Sequence, residues 1–126
     1  MNIPKDLMYT KSHEWIKTLP GGNFLIGITD HAQRKLTDVV FVGLCAEGER
    51  LGARQDIGDV ESIKAVSAVY TPFPGTVVKV NQAVSDDPSL LNSDPYGSWL
   101  VELSGSGDRS GLLTPEEYEK IVKDES

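Results

Sequence analysis

The chain has 126 residues, 19 of them acidic and 12 basic, for a net charge of −7, and 39% are hydrophobic. That length and composition predict one globular domain with one core, residues 1–126. The acidic balance excludes the basic footprint that nucleic acid demands. The longest apolar run, Val39 to Ala46, is too short to span a bilayer, and a single cysteine, Cys45, excludes an internal disulfide or a Cys-based zinc site.

Most of the chain reads as short strands. His13 to Leu19 alternates, Gly21-Gly22-Asn23 signals a turn, and Phe24 to Ile28 completes a hairpin. Thr29 to Leu36 reads as a short helix opened by a capping box between Asp30 and Gln33. Asp38 to Leu44 is a buried strand rich in Val and Phe. Glu47 to Asp59 is polar and glycine-rich, a loop with at most one short strand. Val60 to Ile63 and Ala65 to Thr71 are expected as strands on either side of Lys64. Pro72-Phe73-Pro74-Gly75 then breaks the ladder, because proline has no N–H to donate.

Thr76 to Val80 is a further strand, Ser85 to Asn92 a helical turn, and Ser98 to Leu103 a last strand carrying Trp99. Gly105 to Gly111 reads as a flexible connector. Thr114-Pro115-Glu116-Glu117 has the residues of a helix start, and Glu116 to Lys123 continues it with Tyr118, Ile121 and Val122 as the apolar stripe. No secretion signal or transit peptide is visible at the N-terminus, so the cytoplasm is the expected location, or the mitochondrial matrix for a processed eukaryotic chain. An acidic surface suits partners with basic patches.

Candidate chemistry is sparse. Of the two histidines, His13 reads as a strand residue and His31 as a first-turn helix residue; His13-Glu14 is not an HExxH motif, since Lys17 stands at the second histidine's place. Cys45 reads as a small buried hydrophobe. Gly105-Ser106-Gly107 lacks the third glycine of a dinucleotide fingerprint, because Ser110 stands there. No nucleophile–base pair is visible, which argues against an enzyme. The remaining feature is Glu61-Ser62-Ile63-Lys64-Ala65. On propensity a Lys between two strands is a solvated turn residue. Here apolar neighbours surround it and no Asn-Gly or Asp-Gly makes the turn, so a single ammonium is offered on a tight hairpin. Acylation there would remove its charge and lengthen its reach.

Those residues, with Pro72 and Gly75-Thr76-Val77, resemble the lipoyl-attachment region of the glycine cleavage H-protein family. Tyr9-Thr10-Lys11-Ser12-His13-Glu14-Trp15 resembles that family's N-terminal signature. Gly27-Ile28-Thr29-Asp30-His31-Ala32-Gln33 is similar to its first helix, Asp38-Val39-Val40-Phe41-Val42 to the strand after it, and Asn92-Ser93-Asp94-Pro95-Tyr96-Gly97 to the loop before its last long strand.

The resemblance implies a mostly β fold, a lipoyl-type barrel–sandwich hybrid of two small sheets with short peripheral helices, one of them C-terminal. It implies lipoic acid in amide linkage on Lys64, within the motif Glu61, Ser62, Ile63 and Ala65. Biotinyl domains share the architecture but usually flank their lysine with methionine, where this chain has Ile63 and Ala65. The implied role is that of a non-catalytic carrier. It would shuttle the aminomethyl intermediate of glycine decarboxylation between the P protein (glycine decarboxylase), the T protein (aminomethyltransferase) and the L protein (dihydrolipoyl dehydrogenase). A lipoate ligase or a lipoyl/octanoyl transferase would attach the cofactor.

The resemblance also implies a cleft where the loaded arm docks, with Ser12 and Glu14 at the matching positions. Gly43 and Ala68 stand where the family usually has Glu and Asp, Cys45 where it usually has Pro, and Trp99 comes one residue sooner than usual. Those departures leave Glu14 as the carboxylate expected near the arm. They also keep open a diverged lipoyl protein serving lipoyl relay, or a lipoate-binding carrier in sulfur metabolism.

Overall fold

The computed structural model describes residues 1–105 and 109–125. Two antiparallel sheets face each other. The larger contains β1 (Met8–Tyr9), β2 (Glu14–Thr18), β3 (Phe24–Ile28), β5 (Arg50–Leu51), β8 (Gly75–Val80) and β9 (Val101–Ser104), in the order β1-β2-β3-β9-β8-β5. The smaller contains β4 (Val39–Leu44), β6 (Asp56–Ser62) and β7 (Val66–Tyr70), with β6 in the middle. The helices are α1 (Asp30–Leu36), α2 (Gln82–Asp86), α3 (Leu90–Ser93) and α4 (Pro115–Glu125).

The expected hairpin forms as β2 and β3, in register from Glu14 opposite Ile28 to Thr18 opposite Phe24. Gly21 and Gly22 both take positive φ in its turn, which glycine adopts without a Cβ penalty. The strand alternation places neighbouring residues of β2 in different cores. Ile16 joins Phe24, Ile26, Val77, Val101 and Leu103 against Val42, Ile57, Val60 and Val69 of the smaller sheet. Trp15 points the other way, into a second cluster with Leu7, Tyr9, Tyr118 and Val122 beneath α4. Tyr9 and Tyr118 stack there with ring centroids 4.7 Å apart.

Several sequence expectations are corrected. The cap of α1 is Thr29, whose hydroxyl accepts from Ala32 N at 3.2 Å; Asp30 is the first helical residue and instead accepts from Gln33 Nε2 at 2.7 Å. The loop expected from Glu47 to Asp59 contains β5 and the first half of β6, because β6 begins at Asp56. A bulge shifts the register between Asp56 and Gly58, and Gly58 has φ +155 with Gly43 O where a Cβ would be. Only glycine fits that crossing, so Gly58 belongs to a bulged strand rather than to a loop. The single helical turn expected at 85–92 is two short helices separated by Asp87 to Ser89, where Pro88 interrupts the N–H series.

The last strand is Val101–Ser104, and half-buried Trp99 lies before it, packed on the second cluster. Thr114 and Glu117 form the expected reciprocal cap of α4: Glu117 N donates to Thr114 Oγ1 at 3.2 Å and Thr114 N to Glu117 Oε1 at 2.9 Å. Of its expected stripe, Tyr118 and Val122 are buried and Ile121 is half-buried. The connector expected at 105–111 ends in a 3-10 turn at Arg109–Gly111, and its residues 106–108 lie outside the described residues. No helix among the described residues is long and apolar enough to cross a membrane.

Candidate functional site

The β6–β7 hairpin projects Lys64 from the smaller sheet. Its turn is closed by Ser62 N donating to Ala65 O at 2.8 Å. The Ser62 hydroxyl then accepts from Lys64 N at 3.1 Å and Ala65 N at 3.0 Å. One side chain therefore satisfies two turn amides, which explains a tight tip made without Asn-Gly or Asp-Gly. Lys64 is exposed, and among the described residues its ammonium has neither an ion pair nor a hydrogen bond. The apolar flanks do not cover it. Ile63 is 78% and Val66 63% exposed, whereas Val60 faces the core.

Residues directly opposite on antiparallel strands share a face. Phe41 is opposite Glu61 and Glu61 opposite Val66; Gly43 is opposite Asp59 and Asp59 opposite Ala68; Asp56 is opposite Tyr70. The outer face of the smaller sheet is thus a ledge of Val66, Ala68 and Tyr70, edged by Glu61, Asp59 and Asp56. It runs from the lysine tip to the end of β7, about 20 Å for six residues at the strand rise.

At that end lies a cleft of about 760 Å³ lined by Thr10, Ser12, Glu14, Tyr70, Phe73 and Leu112 among others. Glu14 is 2% exposed yet fully hydrogen-bonded. The hydroxyls of Thr10 and Ser12 donate to its Oε1, the latter at 2.7 Å, and Tyr70 N donates to Oε2 at 3.1 Å. The carboxylate therefore ties the start of β2 to the end of β7, one residue in each sheet. Lys11 and Arg54 line the same cleft.

The structure brings Ser12 and Glu14 together in the cleft, and it holds Glu61, Ser62, Ile63, Lys64 and Ala65 together at the other end of the ledge. It does not bring Ala68 to Glu14; Tyr70, two residues on, makes that contact. Nor is Glu14 the sole carboxylate along the route, because Asp59 sits between Gly43 and Ala68. Sequence reasoning missed Thr10, Tyr70 and Arg54. Thr10 carried a readable signal, a hydroxyl four residues before a Glu within one short loop. Tyr70 and Arg54 depend on how the sheets meet and carried none.

The two histidines also meet. His13 is a bend residue with φ +73 ahead of β2 rather than a strand residue, and its ring lies 4.6 Å from that of His31, centroid to centroid. Burial lowers the His13 pKa despite the opposing pull of Glu125. Cys45 is half-buried rather than fully buried, and burial pushes its thiol pKa up.

The model of the family described as glycine cleavage H-protein matches residues 7–125. A glycine cleavage system H protein of Thermoanaerobacter sp. is 48% identical over 127 residues, covering 99% of this chain and 100% of that protein. One from Herpetosiphon aurantiacus is 46% identical over 126 residues, covering 99% of this chain and 97% of its own. The crystal structure of a glycine cleavage system H protein from Mycobacterium marinum superposes with a TM-score of 0.85 at 42% identity. It covers 94% of this chain and 97% of its own. The paired sheets described above are accordingly a lipoyl-type barrel–sandwich.

Proposed function

Because this chain belongs to the glycine cleavage H-protein family, we propose that Lys64 is its lipoyl-attachment residue, with the cofactor in amide linkage on Nζ. The chain is a non-catalytic carrier that shuttles intermediates of glycine cleavage between the P, T and L proteins. The observation that supports Lys64 is its exposed ammonium, without a partner among the described residues, on a turn closed by Ser62. When bound, the lipoyl dithiolane supplies the transfer and redox chemistry, and the protein supplies display and recognition.

This chain's residues do the rest. Ser62 fixes the tip so that the lysine is presented at one height, which a lipoate ligase or lipoyl/octanoyl transferase reads. Ile63 and Val66 offer apolar contact beside it. The ledge leads to a cleft whose apolar wall, Phe73 and Leu112, fits a hydrocarbon arm. Its polar floor of Ser12 and Glu14 fits a cationic end. Residues 1–126 act as one carrier domain, a reading supported by the continuous core between the sheets. Its place of action on this reading is the cytoplasm, or the mitochondrial matrix in a processed eukaryotic chain.

Expression with lipoate, followed by intact mass and peptide mapping, tests the assignment. Lipoate is expected on Lys64 alone, with Lys64→Arg unmodified and the paired exchange Ile63→Lys, Lys64→Ile poorly modified. Reconstitution with P and T proteins should then support glycine decarboxylation for the lipoylated chain only. Lipoate on another lysine, or normal modification of Lys64→Arg, refutes the assignment.

A further inference from the structure

On the side of the molecule that carries α4, His13, His31 and Glu125 converge. Glu125 Oε2 lies 3.0 Å from His13 Nε2, and Oε1 lies 3.2 Å from His31 Nε2. All three ligand atoms lie within 4.8 Å of one another. We propose that these residues form a binding site for a divalent transition metal of the zinc class, separate from the lipoyl hairpin and the cleft.

The donor set is that of a borderline metal: two imidazoles and one carboxylate, leaving a fourth position for water. At metal–ligand distances near 2.1 Å, tetrahedral donors stand about 3.4 Å apart. The carboxylate already meets that spacing to each ring, so occupancy requires only that the two Nε2 atoms close up. His31 is buried and Glu125 reaches solvent, with side-chain exposures of 7% and 32%, so the site has a floor and an entrance.

The support around His13 is that of a ligand rather than of a filler. Its Nδ1 is 2.8 Å from the Tyr118 hydroxyl, which lies 2.6 Å from Thr29 Oγ1. Metal on Nε2 places the ring proton on Nδ1, which donates to Tyr118, whose own proton turns toward Thr29. Such a fixed second partner orients a metal-binding imidazole. His13 also holds φ +73, a conformation a non-glycine residue keeps only when its surroundings impose it.

One group competes. Lys35 Nζ lies 3.0 Å from Glu125 Oε1, on a side chain 57% exposed that can swing into water. A metal displaces this ammonium and joins three pieces of chain: the bend ahead of β2, the first turn of α1 and the last turn of α4.

Zinc titration by calorimetry and by the thermal midpoint tests this, on tag-free full-length protein. Lipoylated chain and Lys64→Arg are both used, so that cofactor thiols are accounted for, with Cys45→Ser as a further control. One zinc per chain and a raised midpoint are expected in all three. His31→Asn and Glu125→Gln should each weaken binding at least about ten-fold, and Tyr118→Phe about ten-fold. Lys35→Ala should tighten it about two- to five-fold, a gain that no misfolded variant produces. Cobalt should give the absorption of a tetrahedral site. The proposal is overturned if the chain binds no zinc. It is equally overturned if binding vanishes in Lys64→Arg or Cys45→Ser, or is unchanged in both Glu125→Gln and His31→Asn.

Discussion

Replacing Glu14 measures how the two sheets are joined. Its carboxylate is 2% exposed and accepts from Thr10, Ser12 and Tyr70 N. Hydrogen bonds to a charged acceptor contribute roughly 1.5–3 kcal/mol each. In Glu14→Ala the two hydroxyls can turn to water, but the Tyr70 N–H loses its partner and the side chain leaves a cavity. The expected loss is about 3 kcal/mol. Glu14→Gln keeps the shape. Its amide oxygen can accept from Tyr70 N, and its amide nitrogen can donate to the hydroxyl lone pairs, so only the charge is lost, at a cost of about 1 kcal/mol. With a urea m-value of about 2 kcal/mol/M, the unfolding midpoint should fall by roughly 1.5 M for Ala and 0.5 M for Gln. A fall under about 0.5 M for Ala, or equal falls for both, would show that the inter-sheet tie does not rest on this carboxylate.

Other positions test the same structure. A Cβ on Gly27 falls inside the indole of Trp15, its cross-strand partner, whose Nε1 donates to Pro95 O at 3.1 Å. Gly27→Ala should therefore cost about 2–3 kcal/mol, read from urea unfolding, and a near-neutral result would contradict the packing. Asp30 accepts from Asn2 N, Gln33 and Arg34; burial raises its pKa, but those bonds together outweigh burial and lower it. The stability it contributes is thus fully present above the unfolded carboxyl pKa near 4 and is lost as pH falls through the lower folded value. Asp30→Asn should be less stable than the parent at neutral pH, with the gap closing in acid; a gap independent of pH would sink the argument. Ala68→Asp sets a second carboxylate directly opposite Asp59. It should lower stability by about 0.2–1 kcal/mol, less at high salt, and no salt dependence would mean the two do not face each other.

What was legible in the sequence was local. Gly21-Gly22-Asn23 announced the β2–β3 hairpin, and Thr114 with Glu117 announced α4, because each signal acts within a few residues of itself. The ends of β6 were not legible, since what admits Gly58 to a strand is the carbonyl of Gly43 on the neighbouring strand. Thr29 took the cap from Asp30 for a similar reason. Its hydroxyl is also held by Tyr118 from the far end of the chain, while Asp30 is drawn to Asn2 and Arg34. The attachment motif could be read because its chemistry is confined to one turn. The cleft could be read only in part, because Glu14 is completed by Tyr70, 56 residues away.

The same distinction bears on the two positions where carboxylates are absent. Read singly, neither Gly43 nor Ala68 offers a carboxylate to the route proposed for the arm. Across the sheet they are one feature: both flank Asp59 in a single row of three strands. Like charges directly opposite one another are destabilising, so a row with Asp59 at its centre favours uncharged neighbours on both sides. Gly43 has a second constraint, since a Cβ there already presses on the Phe41 ring. Asp59 therefore keeps a carboxylate at the centre of that row. With Glu61 in the next row and Asp56 opposite Tyr70, the ledge between Lys64 and the cleft keeps an acidic edge along its length. A cationic group travelling along it would meet a carboxylate at every row, which is the property the two departures, taken alone, put in doubt.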